Sequence, residues 1–109
     1  MTMLTVIAEI QIHEGTVHFE NVLNAFKDVT PKVLREAGCF GYELYIDQDS
    51  NASFQYKPSN SIIMFEKWQS LAHLEQHLNT AHMQDFQQKV KDAVKETKIR
   101  IMHLGLNNN

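Results

Sequence analysis

The chain has 109 residues, of which 43% are hydrophobic and 21% are charged, and its formal net charge is −3. This length suits one domain with a single modest core, so we expect one domain over residues 1–109. Lys and Arg residues are scattered along the chain, which argues against nucleic-acid binding. No signal-peptide pattern opens the chain and no apolar run approaches the ~18 residues of a membrane span, so we expect a cytoplasmic protein.

The first part of the chain predicts a strand followed by a long helix. β-Branched residues are dense between Leu4 and Ile12, which is typical of a strand. Apolar residues then recur every three or four positions over residues 17–37, the period of an amphipathic helix. Pro31 should kink this helix near Lys27 or split it in two, and Gly38 should end it as a left-handed cap.

The rest of the chain predicts three more strands and two more helices. Ser70 and Thr80 are expected to cap the two helices at their N-termini. A polar, turn-rich segment over residues 48–60 could contain a short extended piece at 53–56. The predicted elements are a strand at 41–47, a strand at 62–68, a helix at 71–78, a helix at 81–95 and a strand at 97–104.

This order of elements predicts an α+β, ferredoxin-like fold, in which an antiparallel sheet carries helices on one face. The other face of the sheet would be bare. It would expose Ile7, Tyr45, Ile63 and Phe65, together with either set of alternate residues from the last strand. Because such an apolar surface is rarely left in water, we expect a second sheet to cover it, most simply in a symmetric homodimer.

The segment from Glu66 to His82 concentrates the chemistry of the chain, since it contains a carboxylate, an indole and three imidazoles. Glu66 and Trp68 fall on the same face of the predicted strand. The helix that follows can fold back and lay His77 over that face. A titratable base would then lie near a flat aromatic surface with a carboxylate beside it, as in a small enzyme that acts on an aromatic substrate.

The pattern E-x-W-x-S from Glu66, followed by His77 and by T-x-H from Thr80, resembles the antibiotic biosynthesis monooxygenase family. The opening M-L-T-V-I-A-E-I, residues 3–10, is similar to its YgiN-type quinol monooxygenases. The resemblance extends from Met3 to about Leu106. It implies a dimeric α+β barrel with a cavity between sheet and helices, and oxidation of a quinol or electron-rich phenol by dioxygen without flavin, haem or metal.

Five residues are candidates for the site. His77 could act as a general base on a phenolic proton, and Glu66 could orient His77 or an ordered water. Trp68 could be the surface on which a substrate ring stacks, His82 a second wall of the cavity, and Tyr42 a hydroxyl that binds a substrate oxygen. Each also has a plain interpretation as a packing, capping or ion-paired residue.

Other reactive residues point away from metal and haem chemistry. His73 and His77 are spaced as metal ligands on a helix can be, but no third ligand is evident, so we expect no metal site. Helical phase directs His73 toward solvent. Ile10 stands where haem-degrading relatives have Asn, which argues against haem degradation. Cys39 has no basic neighbour to activate it and is interpreted as an inert buried thiol.

Three functions remain open on the sequence. The first is a cofactor-independent monooxygenase, in which the deprotonated substrate itself gives an electron to dioxygen. The second is a module that binds a quinone or another small molecule without turnover. The third is an isomerase of a small signalling molecule, whose polar substrate would not need Trp68.

Overall fold

The computed structural model describes residues 3–106, so the frayed tail expected at 107–109 lies outside the described residues. Within these described residues, the chain forms four strands and three helices. In chain order they are β1 (Leu4–Ile12), α1 (Thr16–Leu34), β2 (Cys39–Ile46), β3 (Ser61–Trp68), α2 (Leu71–Leu78), α3 (Ala81–Val90) and β4 (Val94–Met102).

The strands form one sheet in the order β2-β3-β1-β4, in which every neighbouring pair is antiparallel. α1 joins the central strand β1 to the edge strand β2, and α2 and α3 join the central strand β3 to the edge strand β4. This is the split β-α-β arrangement of ferredoxin-like folds, and it confirms the predicted α+β class.

One face of the sheet packs against the helices to form the core. Along β1, alternate side chains from Val6 to Ile12 are buried, as the period of two requires. From the helix layer, α1 contributes Phe26, which packs against Phe86 of α3 with ring centroids 4.5 Å apart. Hydrogen bonds from backbone N–H groups to the side chains of Ser70 and Thr80 confirm both predicted N-caps.

Within residues 3–106, no helix packs on the opposite face of the sheet. Ile7 of β1 stands beside Phe65 of β3 and Arg100 of β4, and Tyr45 of β2 meets the Phe65 ring edge-on at 6.4 Å. The same register places Ile99 and its alternate neighbours on the helix side of β4. The outer face of β4 is therefore its charged side, which the alternation along that strand alone left undecided.

α1 differs from the prediction at its C-terminal end. The helix is a single element that includes Pro31, so of the two predicted alternatives, a kink or a split, the split is wrong. Pro31 lies in the last turn, where its missing N–H removes only one hydrogen bond. The helix ends at Leu34, and Gly38 (φ 79°) turns the chain into β2 three residues after Arg35, which caps the helix. The expected role of Gly38 as the helix cap is therefore wrong.

α3 ends at Val90, five residues earlier than predicted, and β4 begins at Val94 rather than at residue 97. Val94 lies four residues after Val90, so the sequence pattern fits a continued helix as well as the start of a strand. Pairing with Ile12 of β1 decides for the strand. No strand forms at 53–56, where an extended piece was expected, and residues 53–54 lie in a turn.

Within residues 3–106, no helix combines the length and apolar character needed to cross a membrane.

Candidate active site

A cavity of about 420 Å³ lies between the sheet and the helices. Its volume falls within the range of about 300–1,000 Å³ that is common for small-molecule sites. Most of its lining is apolar and comes from β1, β3, β4 and all three helices. The apolar lining residues are Val6, Ala8, Ile10, Phe26, Met64, Leu74, Leu78, Met83, Phe86, Val90, Val94, Ile99 and Ile101.

The cavity opens along β4, an edge strand on which none of the helices within residues 3–106 packs closely. Ile99 and Ile101 point into the cavity but are 55% and 50% exposed. Polar side chains from Gln87, Lys91 and Thr97 also line this mouth. A ligand would therefore enter between β4 and the C-terminal end of α3, and its apolar body would contact mainly aliphatic and aromatic side chains.

Three titratable side chains meet at the inner end of the cavity: Tyr42 of β2, Glu66 of β3 and His77 of α2. Tyr42 and Glu66 are direct partners in the β2–β3 ladder, so their side chains project from the same face. The Tyr42 ring meets the His77 ring edge-on at 5.6 Å. The sequence predicted all three residues, and the structure brings them together.

His77 is only 2% exposed and is held by a carboxylate that the sequence analysis missed. Its Nδ1 lies 2.9 Å from Oε2 of Glu36, whose side chain is 11% exposed. Because an ionised carboxylate can only accept hydrogen bonds, Nδ1 must carry the hydrogen. Nε2 of the neutral ring is then unprotonated and able to accept a proton.

The free nitrogen of His77 reaches the cavity. Every side-chain nitrogen or oxygen of the described residues that is sealed from solvent has a hydrogen-bond partner. Nε2 of His77 has no such partner, so it must be accessible to solvent. Because His77 is one of the residues that line the cavity, this access is through the cavity. The site therefore contains one imidazole with a fixed tautomer, and its basic nitrogen faces an apolar space.

Glu36 is positioned by the turn that joins α1 to β2. Its backbone N–H donates to the carbonyl of Val33, its carbonyl accepts from Cys39, and the carbonyl of Gly38 accepts from Gln69. These bonds attach the turn to the end of β3, close to α2. In the sequence, Glu36 was one more polar residue within the predicted helix 17–37, and no local pattern set it apart.

His82 is placed differently from the prediction. It does not line the cavity but borders a narrow cleft between α1 and α3. Its Nε2 lies 2.7 Å from Oε2 of Glu36, the same oxygen that binds His77. The residue expected to form a second wall of the cavity is instead a second imidazole bound to the same carboxylate oxygen.

Trp68 lies behind His77 and not on the cavity wall. It is 0% exposed, and its ring is 4.6 Å from the His77 ring at an angle of 37°. The imidazole therefore covers the indole face on which a substrate ring was expected to stack. The hydrogen bond of Glu66 also differs from expectation, since its Oε1 accepts from the Trp68 indole at 2.9 Å and Glu36 takes the place beside His77.

Burial keeps two of the remaining groups neutral. Burial, followed by the charges of Glu66 and Glu36, raises the pKa of the Tyr42 hydroxyl well above its usual range. That hydroxyl has no hydrogen-bond partner among residues 3–106 and can donate to a ligand. Burial also raises the pKa of the Cys39 thiol, which is consistent with an inert thiol.

His73 does not project into solvent as expected. Its ring packs on Gly38, and its Nδ1 is 2.7 Å from the Ser70 hydroxyl. The contact explains why residue 38 has no side chain, because a Cβ there would overlap the imidazole. In residues 3–106, no three His, Cys, Asp or Glu side chains are grouped so that they could hold a metal ion.

Comparisons with known proteins agree with this architecture. The family model "Antibiotic biosynthesis monooxygenase" matches residues 3–89. "Probable quinol monooxygenase YgiN" of Escherichia coli (strain K12) is 46% identical over 104 residues, covering 95% of this chain and 100% of that protein. The crystal structure of PA3566 from Pseudomonas aeruginosa is 29% identical, with a TM-score of 0.79 and 95% of each chain covered.

A more distant structure, Rv0793 from Mycobacterium tuberculosis, shares the fold at 16% identity, with a TM-score of 0.78 over 99% of this chain and 100% of that one. The family match covers most of the chain, and a relative of high identity matches almost all of it. The chain therefore belongs to the antibiotic biosynthesis monooxygenase family.

Proposed function

We propose that this protein is a quinol monooxygenase, which oxidises a quinol or a related electron-rich phenol with dioxygen. The observation that carries the proposal is the inner end of the cavity, where Nε2 of His77 faces an apolar space while Glu36 holds Nδ1. The printed name of the Escherichia coli relative supports the same substrate class.

The first step is removal of a phenolic proton. Nε2 of His77 accepts it, and the negative charge of Glu36 stabilises the imidazolium that forms. The Tyr42 hydroxyl, which stays protonated, can donate to the substrate oxygen on which charge develops. The apolar lining excludes water from the anion and so keeps it reactive.

The deprotonated quinol is electron-rich enough to give an electron to dioxygen, and the two radicals can then combine. One oxygen atom enters the ring and the other leaves as water. The four electrons that dioxygen needs come from oxidation of the quinol to the quinone and from hydroxylation of its ring. The balance is quinol plus dioxygen to hydroxyquinone plus water, so the substrate supplies all the reducing equivalents and needs no separate reductant.

In this proposal Trp68 is a support and not a stacking surface. Its buried indole fixes the plane of the His77 ring from behind, and its N–H satisfies the buried carboxylate of Glu66. Glu66 then shapes the inner wall of the cavity beside Tyr42. The catalytic pair is His77 with Glu36, and Glu66 acts on it through Trp68.

Oxygen uptake tests the proposal. The purified protein should consume dioxygen faster than the spontaneous background when a reduced naphthoquinone is added, and His77→Ala should lose most of this rate. His103→Ala, which removes an exposed imidazole outside the cavity, is the matched control and should keep it. Tight binding of the quinol without any enzymatic uptake would favour the binding-module alternative, and conversion of a polar substrate without uptake would favour the isomerase.

We also propose that the bare sheet face forms a homodimer, and that the reaction takes place in the cytoplasm as the sequence led us to expect. The support for the dimer is the cluster of Ile7, Ile63 and Phe65 on the sheet face opposite the helices, where each of these apolar side chains remains partly exposed. Light scattering after size exclusion should give twice the chain mass. Phe65→Glu should give the monomer mass, whereas Leu71→Glu on the helix layer should not.

A further inference from the structure

Two imidazoles share one carboxylate oxygen of Glu36, which lies in the turn after α1. Oε2 of Glu36 is 2.9 Å from Nδ1 of His77 and 2.7 Å from Nε2 of His82. The inner imidazole is 2% exposed and lines the cavity, whereas the side chain of the outer one is 21% exposed and borders the cleft. The proposed reaction uses the contact between Glu36 and His77 and leaves the contact between Glu36 and His82 without a role.

We propose that His82 is a positioning residue for the catalytic base, which acts through Glu36. The inference rests on the proposed function. By donating from Nε2, His82 holds the carboxylate so that Oε2 faces His77 and so keeps the hydrogen of His77 on Nδ1. Without this second donor, the carboxylate of Glu36 is free to rotate toward solvent, and Nε2 of His77 no longer stays unprotonated and aimed at the substrate.

Three features of the structure support this role. First, both contacts have the distances of charge-assisted hydrogen bonds, which are short and directional. Secondly, the two histidines come from different helices, since His77 is near the end of α2 and His82 is in the first turn of α3. The carboxylate therefore joins three elements, α2, α3 and the turn after α1.

Thirdly, the orientation of α3 is already fixed without His82. Thr80 caps the helix through the N–H of Met83 and donates to the carbonyl of His77. Met83 and Phe86 bury the inner face of the same helix. The bond from His82 to Glu36 is therefore not needed to start or dock α3, and a role in orienting the carboxylate remains.

Two substitutions separate positioning from simple structural support. His82→Gln keeps an N–H donor near the position of Nε2, whereas His82→Ala removes it. We expect His82→Ala to lower kcat about tenfold with KM little changed, by analogy with the lower end of the loss seen when the hydrogen-bond partner of a metal-bound histidine is removed. His82→Gln should keep kcat within about threefold of the parent protein.

Ala81→Gly is the matched control, because it weakens the first turn of α3 and leaves both histidines in place. It should lower the melting temperature without changing kcat. If Ala81→Gly lowers kcat as much as His82→Ala, or if His82→Gln loses as much as His82→Ala, His82 is not a positioning residue of this kind.

Imidazole ¹⁵N NMR gives a readout that does not depend on turnover. In the parent protein and in His82→Gln, the His77 ring should show a protonated Nδ1 and an unprotonated Nε2. In His82→Ala, the signals should move toward a mixture of tautomers. An unchanged His77 tautomer in His82→Ala would overturn the inference about His82 while leaving the proposed oxygenase unaffected, whereas absence of oxygen uptake by the parent protein would overturn only the proposed function.

Discussion

Glu36→Gln is the substitution that bears most directly on the catalytic pair. Glutamine has nearly the size of glutamate and keeps an oxygen that can accept from His77 and His82. The change therefore removes the negative charge and largely preserves the packing of a side chain that is 11% exposed. It should leave the cavity intact while it weakens the base.

The size of the effect follows from the contact between Glu36 and His77. Their N–O distance of 2.9 Å places the carboxylate charge roughly 4 Å from the centre of the imidazolium. In a partly buried site, such a charge pair contributes about 2–4 kcal/mol to formation of the imidazolium. At about 1.4 kcal/mol for each factor of ten, kcat should fall about 30- to 700-fold.

Steady-state oxygen uptake with a reduced naphthoquinone measures this loss, and thermal unfolding shows whether the variant remains folded. Glu75→Gln is the matched control, since it removes an exposed charge from the helix that carries His77. It should leave kcat unchanged. A folded Glu36→Gln variant that retains more than about half of the parent kcat would refute the assignment of Glu36 to the base.

Three further predictions concern residues around the pair. Burial raises the pKa of Glu66 above 4.5, so its contribution to stability is complete below that pH and is lost as pH rises through the raised value. Denaturant unfolding should therefore show that the stability of Glu66→Gln, relative to the parent protein, increases as pH rises above 4.5. A difference that stays constant with pH would contradict this. Tyr42→Phe should raise KM up to about tenfold and leave the free energy of unfolding unchanged, because the lost hydroxyl forms a hydrogen bond only with the substrate. An unchanged KM would exclude that hydrogen bond. Gly38→Ala should lower the free energy of unfolding, measured by chemical denaturation, by at least about 2 kcal/mol, because the φ of Gly38 is 79° and a Cβ would overlap His73. Gly105→Ala, where a Cβ would meet no other atom, should change this free energy little.

Much of the fold was predictable because its signals are local. The strand at Leu4–Ile12 follows from alternation, and the starts of α2 and α3 follow from Ser70 and Thr80, whose hydroxyls need only neighbouring backbone groups. The boundary between α3 and β4 was not local. Val94 fits both a helix and a strand period, and only its pairing with β1 decides between them.

The site was predictable only in part, for the same reason. Strand periodicity placed Glu66 and Trp68 on the core face, and the short helix after them brought His77 over that face. Which partner each side chain binds depends on atoms from distant segments. Glu36 is 41 residues before His77, so no spacing rule relates them.

The packing of the His77 ring on Trp68 is another contact that sequence periodicity could not predict. Periodicity correctly predicted that indole and imidazole would share one region, and it left room for a substrate between them. The ring separation of 4.6 Å leaves none. The difference changes the role of Trp68 from binding surface to support, which only side-chain packing could reveal.

The central claim is that Nε2 of His77 removes a proton from the bound substrate, and anaerobic spectroscopy tests it most directly. Without dioxygen the reaction should stop after this step, so the absorbance of a bound naphthoquinol reports its protonation state. The protein should bind the quinol as its anion near neutral pH, and His77→Asn should bind it in the neutral form. A neutral quinol in both proteins, or an anion in both, would contradict the assignment of His77 as the base.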